Sequence, residues 1–245
     1  MRTYFLGLNP ILQALVAGIF TWFMTAVGAS VVLGTKKINR KLLDAMLGFS
    51  AGIMLAACFW SLLMPGFEMA RQMGMTTWIT ASVGFMSGGI FMRIFDRFLP
   101  HIHPGLFHDR PEGGSSSWRR SMLLVVAITI HNIPEGLALG IAFGALASGA
   151  KTATLGAALA LTLGIGIQDI PEGTAVSLPL RREGLKRWKS FMLGQYSGLV
   201  EPLAAMVGAA FVIYINSLLP YALFFSAGAM LFVVIEGLIP ESQRV

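Results

Sequence analysis

Apolar residues fill seven long stretches of the chain, near 8–33, 42–64, 76–95, 121–147, 153–179, 191–214 and 219–240, with short polar or basic segments between them. A bilayer core of about 30 Å is crossed by roughly 20 helical residues, whereas a barrel strand needs about 10 of alternating polarity. Hydrocarbon offers backbone groups no partner, so uninterrupted runs of this length predict helices that satisfy their own hydrogen bonds. The predicted fold class is an all-α integral membrane protein. Its expected organisation is one transmembrane domain over residues 1–245, a helix bundle of seven spans.

Composition agrees: 55% of residues are hydrophobic and 12% charged, where a soluble domain carries about 25% charged residues. The net charge of +6 does not signify a nucleic-acid face, because the basic residues cluster between the apolar runs. Lys36, Lys37, Arg40 and Lys41 follow the first run, Arg110, Arg119 and Arg120 the third, and Arg181, Arg182, Lys186, Arg187 and Lys189 the fifth. Basic loops stay on the cytoplasmic side. The alternation therefore predicts an outside N-terminus and, after seven spans, a cytoplasmic C-terminus. The first run lacks the pattern of a cleaved signal and is expected to be retained. A single cysteine, Cys58, excludes an intramolecular disulfide and a CxxC metal site.

The fourth and fifth runs hold the chemistry. His131-Asn132-Ile133-Pro134-Glu135-Gly136 is echoed by Gln168-Asp169-Ile170-Pro171-Glu172-Gly173. An aspartate on an insertion scale costs about 2.5 to 3.5 kcal/mol at a span's centre, and such residues mark ion paths or proton relays. Consecutive spans are antiparallel, so a motif present in both is related by an approximate two-fold in the membrane plane, giving the bundle inverted-repeat character. Four residues along a helix rise about 6 Å and return to the same face. His131 thus stands over Glu135, and Gln168 over Glu172. Asn132 and Asp169, about 100° further round, open a second site that shares the glutamates. Pro134 and Pro171 free the carbonyls of Ile130 and Ile167, and Gly136 and Gly173 admit close neighbours.

Elsewhere, Glu201 precedes Pro202 in the sixth run, and Glu236 lies near the end of the seventh. A lone mid-span carboxylate needs a partner. Met54 reads either as a packing residue or as a soft thioether ligand. Asp44 is most simply an ion-pair partner of Arg40 or Lys41. Asp96, His101 and His103 could accept a released ion, or the histidines, with His108, are solvated loop residues. Proline-kinked helices whose polar groups bond only each other are the bland alternative for the paired motifs.

These residues resemble the ZIP (Zrt/Irt-like) family of divalent metal transporters, in particular its bacterial GufA-like branch: HNIPEG, then QDIPEG, then the Glu201-Pro202 pair, with Asp44, Met54, Asp96, the His101 to His103 segment and Glu236 in matching order. The resemblance implies an intramembrane binuclear metal centre. One site would take Met54, His131, Glu135, Gln168 and Glu172, and the other Asn132, Glu135, Asp169, Glu172 and Glu201. It also implies an exit route past Asp96, His101, His103 and Glu236, and metal moving into the cytoplasm. The family usually has eight spans, one more than the runs counted here, and many relatives carry His where this chain has Gln168.

The expected substrate is Zn2+, with Cd2+, Fe2+ and Mn2+ also open. The expected partners are divalent metal ions and the lipid bilayer, with no nucleic acid and a homodimer left open. No Walker loop or phosphorylation motif appears, so flux is expected to follow the metal gradient, and the chain is expected not to be an enzyme. Helices one, four, five and six would move against two, three and seven. The rival readings are a passive metal channel with the same ligands and an intramembrane metal-dependent hydrolase. The latter is disfavoured because HNIPE lacks the second His of HExxH.

Overall fold

Helix starts follow local chemistry. In the computed structural model, which describes residues 7–35, 39–98, 120–149 and 153–243, Asn9 accepts a hydrogen bond from the Ile11 N–H at 2.9 Å and Pro10 opens the first helix. A side-chain cap followed by proline satisfies or removes amides that a first turn leaves orphaned. This helix, α1, covers Pro10–Gly34. Asn39 caps α2, Arg40–Gln72, through the Lys41 N–H. Then come α3, Thr77–Phe98, and α4, Arg120–Ala147. Thr154 caps α5, Leu155–Arg182, through the Ala157 N–H. The last two are α6, Arg187–Tyr214, and α7, Leu219–Ser242. No strand occurs among the described residues.

Two helices absorb a proline by widening. Residues Cys58–Leu63 of α2 and Val234–Leu238 of α7 form π turns, closed by the Met64 N–H on the Phe59 carbonyl and the Ile239 N–H on the Val234 carbonyl. Pro65 and Pro240 follow directly and cannot donate four residues back, and a π turn is one way to reroute the ladder around that gap. α2 continues to Gln72, beyond the end of its apolar run at 64.

Six of these helices are long and apolar enough to cross a membrane. The exception is α5, which has the length, at 28 residues, but carries Gln168, Asp169 and Glu172 midway. Other helices shelter it: every residue from Pro171 to Leu178 is buried. The fifth predicted span is thus a helix that depends on its neighbours for an acceptable environment.

Packing divides the bundle. α1 lies on α5 and α6, and α4 on α6 and α5, which makes one set of four; α2 and α3 both lie on α7. Within each set, backbones touch where glycine removes the side chain. A methyl added to Gly28 would collide with the Ile170 carbonyl of α5, one on Gly140 with the Ala205 carbonyl of α6, and one on Gly88 with the Phe225 carbonyl of α7. Helices in lipid associate by such close packing because hydrocarbon supplies no hydrophobic drive. Between the sets, where α2 meets α5 and α4 meets α7, glycines face side chains instead. A methyl on Gly164 would be 3.5 Å from Ile53 Cγ2, and one on Gly237 3.1 Å from His131 Cε1.

The α1–α5 seam should therefore tolerate no side chain. Gly28→Val is expected to destabilise the protein by about 1 to 3 kcal/mol or more, as overpacking does. Gly48→Ala, which meets nothing within 4 Å, should leave the midpoint unchanged or slightly raised. Thermal unfolding in detergent, followed by monodisperse elution, measures both.

Candidate metal centre

The echoed motifs meet where α4 crosses α5. Gln168 Nε2 donates to Glu135 Oε1 at 2.9 Å, tying one motif to the other. Glu135, Asp169 and Glu172 each present a carboxylate oxygen, all within 4.8 Å of one another and all buried. The Ser50 hydroxyl of α2 donates to Glu172 Oε1 at 3.1 Å. Glu201, fully buried, is close enough for its charge to act on all three.

Glu201 is placed by an interruption in α6. The helix unwinds at Gly198 and Leu199, and the Glu201 N–H turns to the Gly198 carbonyl at 3.0 Å. The Ser197 carbonyl is thereby left to accept from Asn132 Nδ2 at 3.1 Å. Gly198 is required by crowding: a Cβ there would be 2.7 Å from Thr25 Oγ1 and 3.1 Å from Glu201 Oε1. Thr21 and Thr25 of α1 flank Glu201, while their hydroxyls donate to the carbonyls of Gly18 and Thr21.

The glycines of the two motifs seat equivalent neighbours. A methyl on Gly136 would be 2.5 Å from the Glu201 carbonyl, and one on Gly173 would strike the Thr25 carbonyl. α6 is to α4 what α1 is to α5, as an inverted repeat requires.

Among the described residues, no lysine or arginine acts on the carboxylates of the cluster. Between Ser121 and Leu180 the only Lys or Arg is Lys151. Glu135 Oε2, both oxygens of Asp169 and of Glu201, Asn132 Oδ1 and Gln168 Oε1 are buried with no hydrogen-bond donor. Taking carboxylates out of water costs several kcal/mol each unless a charge or a set of hydrogen bonds repays it. A ring of carboxylate and amide oxygens suits a divalent cation.

The remaining sequence candidates fall in distinct places. Met54 is completely buried, one turn from Ser50 on the same face of α2. His131 stands outside the 4.8 Å group, its ring against Gly237 in the π turn of α7. Glu236 precedes that glycine and is half-buried. Asp96 pairs with Arg93 at 3.3 Å and Asp44 with Arg40 at 2.7 Å. His101, His103 and His108 lie outside the described residues. Sequence reading passed over Ser50, Thr21, Thr25 and the Ser197 carbonyl. Ser50 lies one turn ahead of Met54 in an apolar run, and nothing local marks it out.

A membrane bundle that buries unpaired carboxylates around a space fit for a cation is a metal-ion transporter in class. The ZIP zinc transporter family model matches residues 9–117 and 107–244, and the chain belongs to that family. It is 40% identical over 307 aligned positions to the zinc transporter ZIP11 of Xenopus tropicalis, spanning 97% of this chain and 91% of that one. Identity is 36% over 233 positions to the zinc transporter GufA of Myxococcus xanthus, spanning 94% and 88%. To the zinc transporter ZIPB of Bordetella bronchiseptica it is 38% over 234, spanning 94% and 73%. These relatives are named as transporters and not as enzymes.

If the cluster is under electrostatic load without its ion, neutralising part of it stabilises the metal-free protein. Asp169→Asn, which gives Glu135 a donor, should raise the unfolding free energy in chelator by about 1 to 3 kcal/mol, the cost of an unsatisfied buried group. Excess divalent cation should stabilise the wild type more than the variant. Melting curves with and without chelator compare the two.

Proposed function

We propose that this chain carries zinc into the cytoplasm through the α4–α5 centre, acting as a single transmembrane domain over residues 1–245. The observation that carries the reading is the buried trio Glu135, Asp169 and Glu172 with its unpartnered oxygens. The zinc-transporter names of the relatives support the choice of metal. Cadmium, iron and manganese enter as competing substrates, since the same oxygen and nitrogen donors bind them too.

Two ions share the centre in this reading. Glu135 and Glu172 bridge a site completed by Met54, His131 and Gln168 and a second completed by Asn132, Asp169 and Glu201. Asp96, His101, His103 and Glu236 receive the ion on the cytoplasmic side. The basic segments orient the chain with its N-terminus outside and its described C-terminal helix ending inside a bacterial plasma membrane. Release requires the set α1, α4, α5 and α6, which holds most of the ligands, to move against α2, α3 and α7. The contrast between backbone seams within each set and side-chain contacts between them supports that division.

Zinc and cadmium uptake into proteoliposomes tests the proposal. Saturable uptake is expected from the wild type and none above background from His131→Ala or Glu172→Ala; wild-type flux in both variants would sink the site assignment. Asp169→Ala should lower the maximal rate more than the apparent affinity.

Protons and metal compete for the same groups, because carboxylates bind metal deprotonated and imidazole binds it neutral. Uptake at subsaturating zinc should therefore fall as the pH is lowered, and excess zinc should restore it. A loss at low pH that zinc does not reverse would place the titrating group outside the centre.

A further inference from the structure

Serine and threonine hydroxyls inside helices usually donate to a carbonyl one turn back on their own helix. Thr21, Thr25, Ser87, Thr129 and Thr162 all do so here. Ser50 does not. Fully buried on α2, it reaches across to α5, 3.1 Å from Glu172 Oε1 and 3.4 Å from the Gln168 carbonyl. A hydroxyl has one proton, and the carboxylate is both the nearer and the stronger acceptor.

The bond also lies in an unusual place. Trp22 with Gln195, Asn132 with Ser197, Gln168 with Glu135, and Thr174 with Gly28 each join helices of the four-helix set. Cys58 with Ala227 and Arg40 with Glu241 join α2 to α7. Ser50 instead links α2 to α5, from one set to the other, at the centre itself.

We propose that Ser50 is a positioning residue for the metal centre, fixing the Glu172 carboxylate for the ion from the opposite helix set. This rests on the reading of Glu172 as a ligand. With Oε1 held by Ser50, the carboxylate presents to the ion in one orientation. Without the hydroxyl, it must be ordered by the ion, at the ion's expense. The role belongs to loading, so its loss weakens affinity and spares the turnover of a loaded carrier.

Zinc uptake by proteoliposomes over a range of concentrations decides the matter. Ser50→Ala is expected to raise the half-saturating zinc concentration about tenfold, the scale of one hydrogen bond to a charged group, with an unchanged maximal rate. Ser50→Thr, which keeps the hydroxyl, should restore affinity. A packing defect would lower the maximal rate through fewer active molecules and leave half-saturation where it was, and that result overturns the proposal. Glu172→Ala is run beside them: if it loses binding while Ser50→Ala keeps wild-type affinity, Ser50 has no such role and the centre stands. If Glu172→Ala itself binds normally, the centre falls and the proposal with it. Should the alanine variant fail to fold, Ser50→Val decides. It matches the shape of Ser50→Thr without the hydroxyl, so its half-saturating zinc concentration should exceed that of the threonine variant about tenfold, and equal values overturn the proposal.

Discussion

Carboxylates in the middle of a bilayer dominate this structure. Glu135, Asp169, Glu172 and Glu201 are each 4% exposed or less, and water is not at hand to solvate them. Charge in such a place is tolerated when it faces the interior of a bundle and finds a partner there. That requirement accounts for the burial of α5, whose polar centre could not face lipid. It accounts equally for the polar groups that reach the cluster: Ser50 donates to Glu172 and Gln168 to Glu135, without a competing cation.

Close packing makes that shelter possible. Gly136 against Glu201 and Gly173 against Thr25 bring main chains near enough that the polar side chains beside them are enclosed. The same small residues give the helix sets different mechanical character. Inside a set, Gly28, Gly88 and Gly140 seat backbone on backbone, although Gly66 and Gly166 face the rings of Phe224 and Phe20; across the boundary, the side chains of Ile53 and His131 meet glycines at ordinary or slightly tight distances. A boundary of that kind can slide with rotamer changes, whereas the inner seams would have to come apart.

Much of this was readable in the chain. Long apolar runs dictate helices because the bilayer leaves no alternative, and the paired motifs stand out because ionisable residues are so costly there. The facing of Glu135, Asp169 and Glu172 follows from helical periodicity and the antiparallel order of neighbours. Other features were not legible. The unwinding at Gly198 has a local cue, since Pro202 fits the first turn of a new helix, yet glycine and proline are common in spans and rarely break them outright. The π turns before Pro65 and Pro240 depend on how the ladder chooses to reroute. Ser50 looked like any small residue on an apolar face, and its importance lies in a contact with residue 172, which no local pattern encodes. The six-helix count by apolarity has the same origin: α5 is a span only in company.

The interruption in α6 also explains a difference between the two motifs, which agree in Ile-Pro-Glu-Gly but open with His-Asn in one case and Gln-Asp in the other. Asn132 turns its NH2 toward the Ser197 carbonyl, and that carbonyl is available only because the helix unwinds just beyond it. An aspartate at 132 would set oxygen against oxygen. On the other side of the pseudo-two-fold, α1 runs unbroken past Gly173, and neither carboxylate oxygen of Asp169 accepts a hydrogen bond. A single main-chain lone pair thus bears on which copy of the repeat carries the second carboxylate, and an arrangement symmetric in shape becomes unequal in charge.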